Sequence, residues 1–431
     1  MELHKRLVEY RDDLARCARC SLCKYPPLAA IKSHRYSVGC PAIGRYGFHA
    51  YSAGGKIIIA LALLEQRVSL SPDMVEVIYR CSTCGSCDVS CKYNRDLEPL
   101  EYIWALRAEC FEQGLAPLHN HKVLLESIRQ YNNVWNQPRA RRDRWAKGLQ
   151  VKDASTQKVE VLYYVGCTYS YHAGLQHVAH NTVKLMQKAG LTVGILGNEE
   201  VCCTSPAFVM GDRKLFTEVA QKNIDQWAAT GARIVVTSCA GCYGLIKAKY
   251  PLVSDYPFEV LSAPELMDRL IQEKKLHPDR SLRRTITYHD PCHLGRQSER
   301  LVPWHGTIRK VLNQCVIQDP PKVFRRGTSG VYEAPRNVLN AIDGLELREM
   351  ERIKEYAFCC GAGGGVKSAF PEMALWAATE RIEEAKSTGA DTLVTACPWC
   401  ESNLQDAVLH NKSSISIQDF TTLLVEATGG V

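Results

Sequence analysis

Long apolar runs are missing from this 431-residue chain. The longest, Ile57 to Leu64, is eight residues, against the roughly 20 that a bilayer demands. The stretch from Met1 to Arg16 is charged throughout and has no apolar signal core, so a soluble, cytoplasmic protein is expected. Any attachment to a membrane would then run through a partner. Nucleotide loops are missing too. The glycine run from Gly361 fails GxGxxG because Val366 holds the last position, no GxxxxGK[ST] occurs, and Gly54-Gly55-Lys56 is followed by Ile57. Flavin, nicotinamide and other nucleotides are therefore not expected in this chain.

What remains is ordinary in bulk and unusual in one residue. With 46% hydrophobic and 23% charged residues, disorder, collagen and coiled coil drop out. The length implies two or three domains. The net charge of +7 counts every cysteine as neutral, and thiolate ligands would reduce it, so no nucleic-acid partner is expected. The outlying number is 20 Cys. They fall as CxxC steps and adjacent pairs, and a chain of this size with its own cores has little to gain from disulfides. Metal is the default reading.

Residues 1–131 read as helical, with Leu7 to Arg16, Gly55 to Gln66 and Pro99 to Gln113 as segments. Cys17, Cys20 and Cys23 form one triplet, with Cys40 following after sixteen intervening residues; Cys81, Cys84, Cys87 and Cys91 form C-x2-C-x2-C-x3-C. Three thiolates at i, i+3 and i+6 reach three corners of an iron–sulfur cube. In two-cluster ferredoxins the fourth Cys of each run serves the other cluster. We therefore expect a first cubane on Cys17, Cys20, Cys23 and Cys91, and a second on Cys81, Cys84, Cys87 and Cys40. Zinc ribbons use two CxxC pairs instead. Residues 132–158, with Arg139, Arg141, Arg142, Arg144 and Lys147, read as a solvated basic linker.

Residues 159–280 and 281–431 are an internal repeat. Cys202, Cys203, Cys239 and Cys242 map onto Cys359, Cys360, Cys397 and Cys400 at offsets of 157 and 158, whereas Cys167 maps onto Cys292 at 125. The second copy thus carries about 32 extra residues, placed at about 297–329. Inserts of that length serve as lids or inert loops. Strand-like runs (Val159 to Val165, Arg233 to Ser238, Thr285 to His289, Thr392 to Ala396) alternate with amphipathic helices, Lys214 to Thr230 and Glu372 to Thr388. This predicts parallel βα units in both halves. The expected fold class is α+β multidomain: an all-α ferredoxin-like domain, then two Rossmann-like α/β domains. Five cysteines per copy is one too many for tetrahedral zinc or a cubane.

This pattern, with His289-Asp290-Pro291-Cys292-His293-Leu294-Gly295-Arg296 and Cys359-Cys360-Gly361-Ala362-Gly363-Gly364-Gly365, resembles the cysteine-rich CCG domains of heterodisulfide reductases. The fusion to a ferredoxin-like part resembles the D-type subunit of that family over nearly the whole chain. The resemblance implies two non-cubane four-iron clusters, one on Cys167, Cys202, Cys203, Cys239 and Cys242, the other on Cys292, Cys359, Cys360, Cys397 and Cys400. Four [4Fe–4S] clusters would then relay electrons to a disulfide cleaved between the last two. Implied partners are a haem b membrane subunit, a flavoprotein or ferredoxin-type donor, and a small disulfide substrate. The family also includes subunits of hydroxy-acid oxidising complexes, many with incomplete motifs; all ten ligands here favour disulfide chemistry. A non-catalytic wiring subunit, joining an acyl-CoA or hydroxy-acid dehydrogenase to a quinone or ferredoxin, is the alternative.

Other residues have weaker assignments. His289 and His293 are candidate proton donors, with a structural hydrogen-bonding role as the bland alternative. Arg296 either neutralises a cluster or substrate or lies at the surface. Gly361, Gly363 and Gly364 are expected to bring backbone N–H groups close to a cluster. Cys110 reads as a core residue, and Cys315 as a thiol in the insertion.

Overall fold

The computed structural model describes residues 5–312 and 315–430, and of residues 315 and 316 the backbone only. The side chain of Cys315 thus lies outside the described residues. Up to residue 131 the described chain is helical, with the longer helices at Ala53–Leu64, Pro72–Tyr79, Pro99–Glu112 and His119–Tyr131. Ser52 and Ser71 accept from the amides of Gly55 and Met74, capping the first two, and Pro72 and Pro99 occupy first-turn positions where no amide is needed. These helices bury Leu7, Leu14, Ile57, Val75, Ile78 and Leu106 in one core, which also takes in Val366, Phe370 and Met373 from the far end of the chain. Cys110 is buried there.

The rest is two parallel sheets. The first contains β1 (Lys152–Asp153), β2 (Val161–Tyr163), β3 (Val193–Ile195), β4 (Ile234–Thr237) and β5 (Glu259–Ser262), in the order β1-β3-β2-β4-β5. After β6 (Arg284–Tyr288) comes an antiparallel hairpin of β7 (Thr307–Val311) and β8 (Cys315–Asp319). β9 (Leu345–Leu347), β10 (Thr392–Thr395) and β11 (Ser416–Asp419) then join β6 in the order β11-β10-β6-β9. Read from the second strand, both units run 2-1-3-4. The strand order reverses between strands 1 and 3, and a crevice opens beyond their carboxyl ends at such a switch point. Cys167 follows β2 and Cys239 follows β4; Cys292 follows β6 and Cys397 follows β10. The topology therefore places the cysteines at the crevice of each sheet.

Two expectations change. Residues 132–158 are not a solvated linker: Asn133, Arg142 and Trp145 are buried, and Lys152 and Asp153 pair with Gly194 and Ile195 as an edge strand. Composition hides this because the exposed arginines outnumber the buried one. The insertion is neither a plain lid nor an inert loop. Its strand β7 is largely exposed, but Arg325 is buried against Asp88 (2.8 Å), Glu98 (2.6 Å) and Glu101 (3.1 Å) of the helical unit. Burial works to raise the Glu101 carboxyl, yet Lys249 and Arg325 override it and hold it down at about 2.

One guanidinium ties the three units together. Arg107 is fully buried and donates to the carbonyls of Ile78 (3.3 Å), Tyr79 (3.2 Å) and Cys81 (2.6 Å) in the helical unit, Val209 (2.9 Å) in the first α/β unit and Gly364 (2.8 Å) in the second. Arg107→Ala is expected to cost about 3 kcal/mol, the scale for stripping buried groups of a charged donor. The unfolding midpoint in denaturant should fall accordingly, with Arg107→Lys intermediate. An unchanged midpoint would contradict this role.

Candidate metal centres

The ten cysteines of the repeated pattern in the two α/β units line one cavity of about 360 Å³. Nine of them are buried and Cys292 is half-buried. Within each unit the thiols stand as neighbours in a chain, each shifting the proton affinity of the next. In the first, Cys167 meets Cys202, Cys202 meets Cys203, Cys203 meets Cys242, and Cys242 meets Cys239. In the second the order is Cys292, Cys359, Cys360, Cys400, Cys397. The same five positions are linked in the same order twice. Donation from Cys202 and Cys242 holds the Cys203 thiol down at about 6.

Local backbone explains how the sulfurs approach. Gly166 has φ 77°, and a Cβ there would lie 3.2 Å from the Cys242 sulfur, so only glycine joins β2 to Cys167 without crowding the site. Cys239 and Cys397 stand at the N-caps of the helices Ala240–Ala248 and Pro398–Asn411, where the helix dipole favours a thiolate. Amides point at sulfur: Thr204 N–H to Cys202 Sγ and Gly361 N–H to Cys359 Sγ, both at 3.3 Å. Gly363 and Gly364 line the cavity, but close packing accounts for the absence of side chains. A Cβ at Gly363 would lie 2.8 Å from the Ser82 carbonyl and one at Gly364 2.6 Å from that of Cys81.

In the helical unit, Cys40, Cys81, Cys84 and Cys87 line a small separate cavity. Burial pushes the Cys40 thiol up to about 12, with Cys81 and Cys84 adding to the effect. Burial likewise raises Cys91 to about 12, with Cys23 among its neighbours; Cys23 in turn feels Cys17 and Cys20. Gly54 N–H donates to Cys23 Sγ at 3.4 Å. Cys87 feels Cys23, so the two groups of four adjoin. Cys84 also meets the Cys359 thiol, whose donation holds Cys84 down at about 6. The second group of four therefore touches the second group of five.

The donor sets suit iron–sulfur clusters: all-thiol, buried, and served by backbone N–H groups, with five thiols where tetrahedral zinc takes four. His293 lies with Nδ1 3.4 Å from Cys292 Sγ and lines the cavity. His289 does not line it. Its Nδ1 accepts from Arg381 Nε at 3.1 Å, and it stands with Cys360 and Cys400 in a group whose donor atoms lie within 4.8 Å. Arg296 is buried, not at the surface, and donates to the carbonyls of Cys84 (2.7 Å), Glu355 (2.8 Å) and Ala357 (2.8 Å).

Three residues here carried no sequence signal. Arg142 points both Nη atoms at Cys167 Sγ (3.8 and 3.7 Å) and pairs with buried Glu200 at 2.6 Å. Glu200 also accepts from the amides of Val165 (3.0 Å) and Gly166 (2.9 Å). Trp135 lines the cavity from the segment read as linker. Removing Arg142 would strand the Glu200 carboxylate. Arg142→Met is expected to cost about 3 kcal/mol, as for one partner of a buried pair, and adding Glu200→Gln should restore part of it in thermal unfolding. Equal melting of all three proteins would contradict that role.

The helical part, residues 13–94, matches the model of a 4Fe-4S dicluster domain, and residues 161–247 and 286–405 match that of the cysteine-rich CCG domain. The D-type subunit of the dihydromethanophenazine:CoB--CoM heterodisulfide reductase of Methanosarcina mazei is 32% identical over 358 residues, 82% of this chain and 78% of that one. The EtfAB:quinone oxidoreductase of Syntrophomonas wolfei is 29% identical over 356 residues, 79% of this chain but only 45% of its own length. The crystal structure of a hypothetical protein from Helicobacter pylori has the same fold (TM-score 0.54, 11% identity), covering 88% of this chain and 68% of that one. Among the described residues no helix is long and apolar enough to cross a membrane. Both halves of the cysteine pattern and the length of shared sequence lead to one conclusion: this chain is an iron–sulfur electron-transfer oxidoreductase and belongs to the family of heterodisulfide reductase D-type subunits.

Proposed function

We propose that the chain holds four [4Fe–4S] clusters, two cubane and two non-cubane on the ligand sets named above, and reduces a disulfide in the shared cavity. The overall change is R–S–S–R′ + 2e⁻ + 2H⁺ → R–SH + R′–SH. The observation that carries this reading is the convergence of ten thiols from two sheets on a single cavity. Clusters bound there would supply electrons one at a time and iron able to bind sulfur. The chain's own residues do the rest. The facing sheet ends hold both sulfurs of the substrate in one crevice, which removes the entropy of meeting two separate centres. Buried walls exclude water. His293, beside Cys292 on the cavity wall, holds a proton for one product sulfur; His289, behind Cys360, orients that side of the site. Electrons enter through the helical unit, where the contact of Cys84 with Cys359 supports a path into the second α/β unit.

The partners fitting this reading are a haem b membrane subunit, a flavoprotein or a ferredoxin-type donor in a cytoplasmic or peripheral complex. A second reading draws on the likeness to EtfAB:quinone oxidoreductase: the chain wires a dehydrogenase to a quinone or ferredoxin without acting on a disulfide. Anaerobic turnover with a reduced viologen separates the two. The first reading predicts two thiols per two electrons from a small disulfide, and at least a hundredfold loss in Cys203→Ser and in Cys360→Ser. No thiol from any disulfide, with electrons still passing to a redox partner, would establish wiring instead.

A further inference from the structure

The lining of the cavity is not uniform. Nine of the ten cysteines on it are buried, whereas Trp135, Trp399, Leu124, Val134 and Pro206 are among its half-buried residues, together with Ser205, Cys292, His293, Lys367 and Ser368. Trp135 and Trp399 are far apart in the sequence, yet their rings lie parallel, 5.9 Å apart at 8°. His172 packs edge-on against Trp135 at 5.4 Å. A stacked indole pair of this kind favours an apolar or aromatic chain packed against it.

Charge is scarce on the same surface. Apart from His293, the charged side chain lining the cavity is Lys367, and its ammonium is taken by Asp406 at 2.7 Å and Ser402 Oγ at 2.9 Å. Arg142 and Arg296 lie close by but do not line the cavity; Arg142 is paired with Glu200, and Arg296 donates Nε and Nη1 to three backbone carbonyls while its Nη2 has no hydrogen-bond partner among the described residues. A sulfonate, phosphate or carboxylate entering here would lose its water and, His293 aside, meet no uncommitted cation on the cavity lining among the described residues.

We infer that the cavity takes thiols and disulfides whose arms are uncharged and apolar, packed against the Trp135–Trp399 pair, and disfavours polyanionic ones. This rests on the cavity being the disulfide site. The test uses two thioethers, which bind without being reduced: one with two arylalkyl arms and one of equal length with two sulfonate arms. Their affinities for the anaerobic holoprotein are measured by calorimetry. The arylalkyl thioether should bind at least tenfold more tightly, and Trp399→Ala should remove that advantage while Trp399→Phe keeps most of it. Asp406→Asn frees Lys367 and should strengthen sulfonate binding severalfold, a gain that misfolding does not produce. Equal or tighter sulfonate binding to the unaltered protein, affinity unmoved by Trp399→Ala, or binding of neither thioether would overturn the inference. Disulfide turnover without the arm preference defeats the inference alone. Arylalkyl thioether binding without turnover of any disulfide defeats the catalytic reading alone.

Discussion

Ten sulfurs must reach one small cavity from two separate sheets, and most of the architecture follows from that demand. Parallel strands put all their carboxyl ends on one side, and the 2-1-3-4 order opens a crevice between strands 1 and 3. Turning the two crevices toward each other merges them. Each unit then contributes five thiols from three loops, with glycine at Gly166 where a side chain would strike Cys242. Such a concentration of buried thiols is hard to account for as packing alone, and metal coordination gives it a purpose.

The helical unit is held in register with this cavity by polar groups that would be costly to strand. Arg107 draws carbonyls from all three units to one point, and Arg325 pins the insertion to the helix that carries Cys87 and Cys91. Both lie next to cysteine loops, so the distances between groups of thiols are set by buried charge as well as by apolar packing. The two α/β sites differ in their surroundings. Cys167 faces an arginine already balanced by Glu200, while Cys292 faces His293 and lies near Arg296, which is bonded only to neutral carbonyls. Two centres built on one pattern therefore sit in different fields.

Short-range features were legible in the sequence. The triplet spacings, the constant offsets and the strand-like runs pointed to the helical unit and the two parallel sheets; the four expected runs lie within a residue or two of β2, β4, β6 and β10, while the other strands of the two sheets had no run assigned to them. What escaped was whatever depends on pairing across long separations. Arg142 is one arginine among several in a basic stretch, and only the distant Glu200 and Cys167 distinguish it. Arg325 sits in an insertion with no periodic pattern, 237 residues from Asp88. Trp135 meets Trp399 only once both units have folded. The glycines from Gly361 were expected to serve a cluster, and Gly361 does aim its amide at Cys359; Gly363 and Gly364 make room for the Cys81–Ser82 backbone.

The most direct test of the account is the iron, acid-labile sulfide and zinc content of anaerobically purified protein. Four clusters of four irons require about sixteen iron and about sixteen sulfide per chain, in brown material. Colourless protein with about four zinc and no sulfide would contradict it, since zinc held by thiolates alone needs no inorganic sulfur.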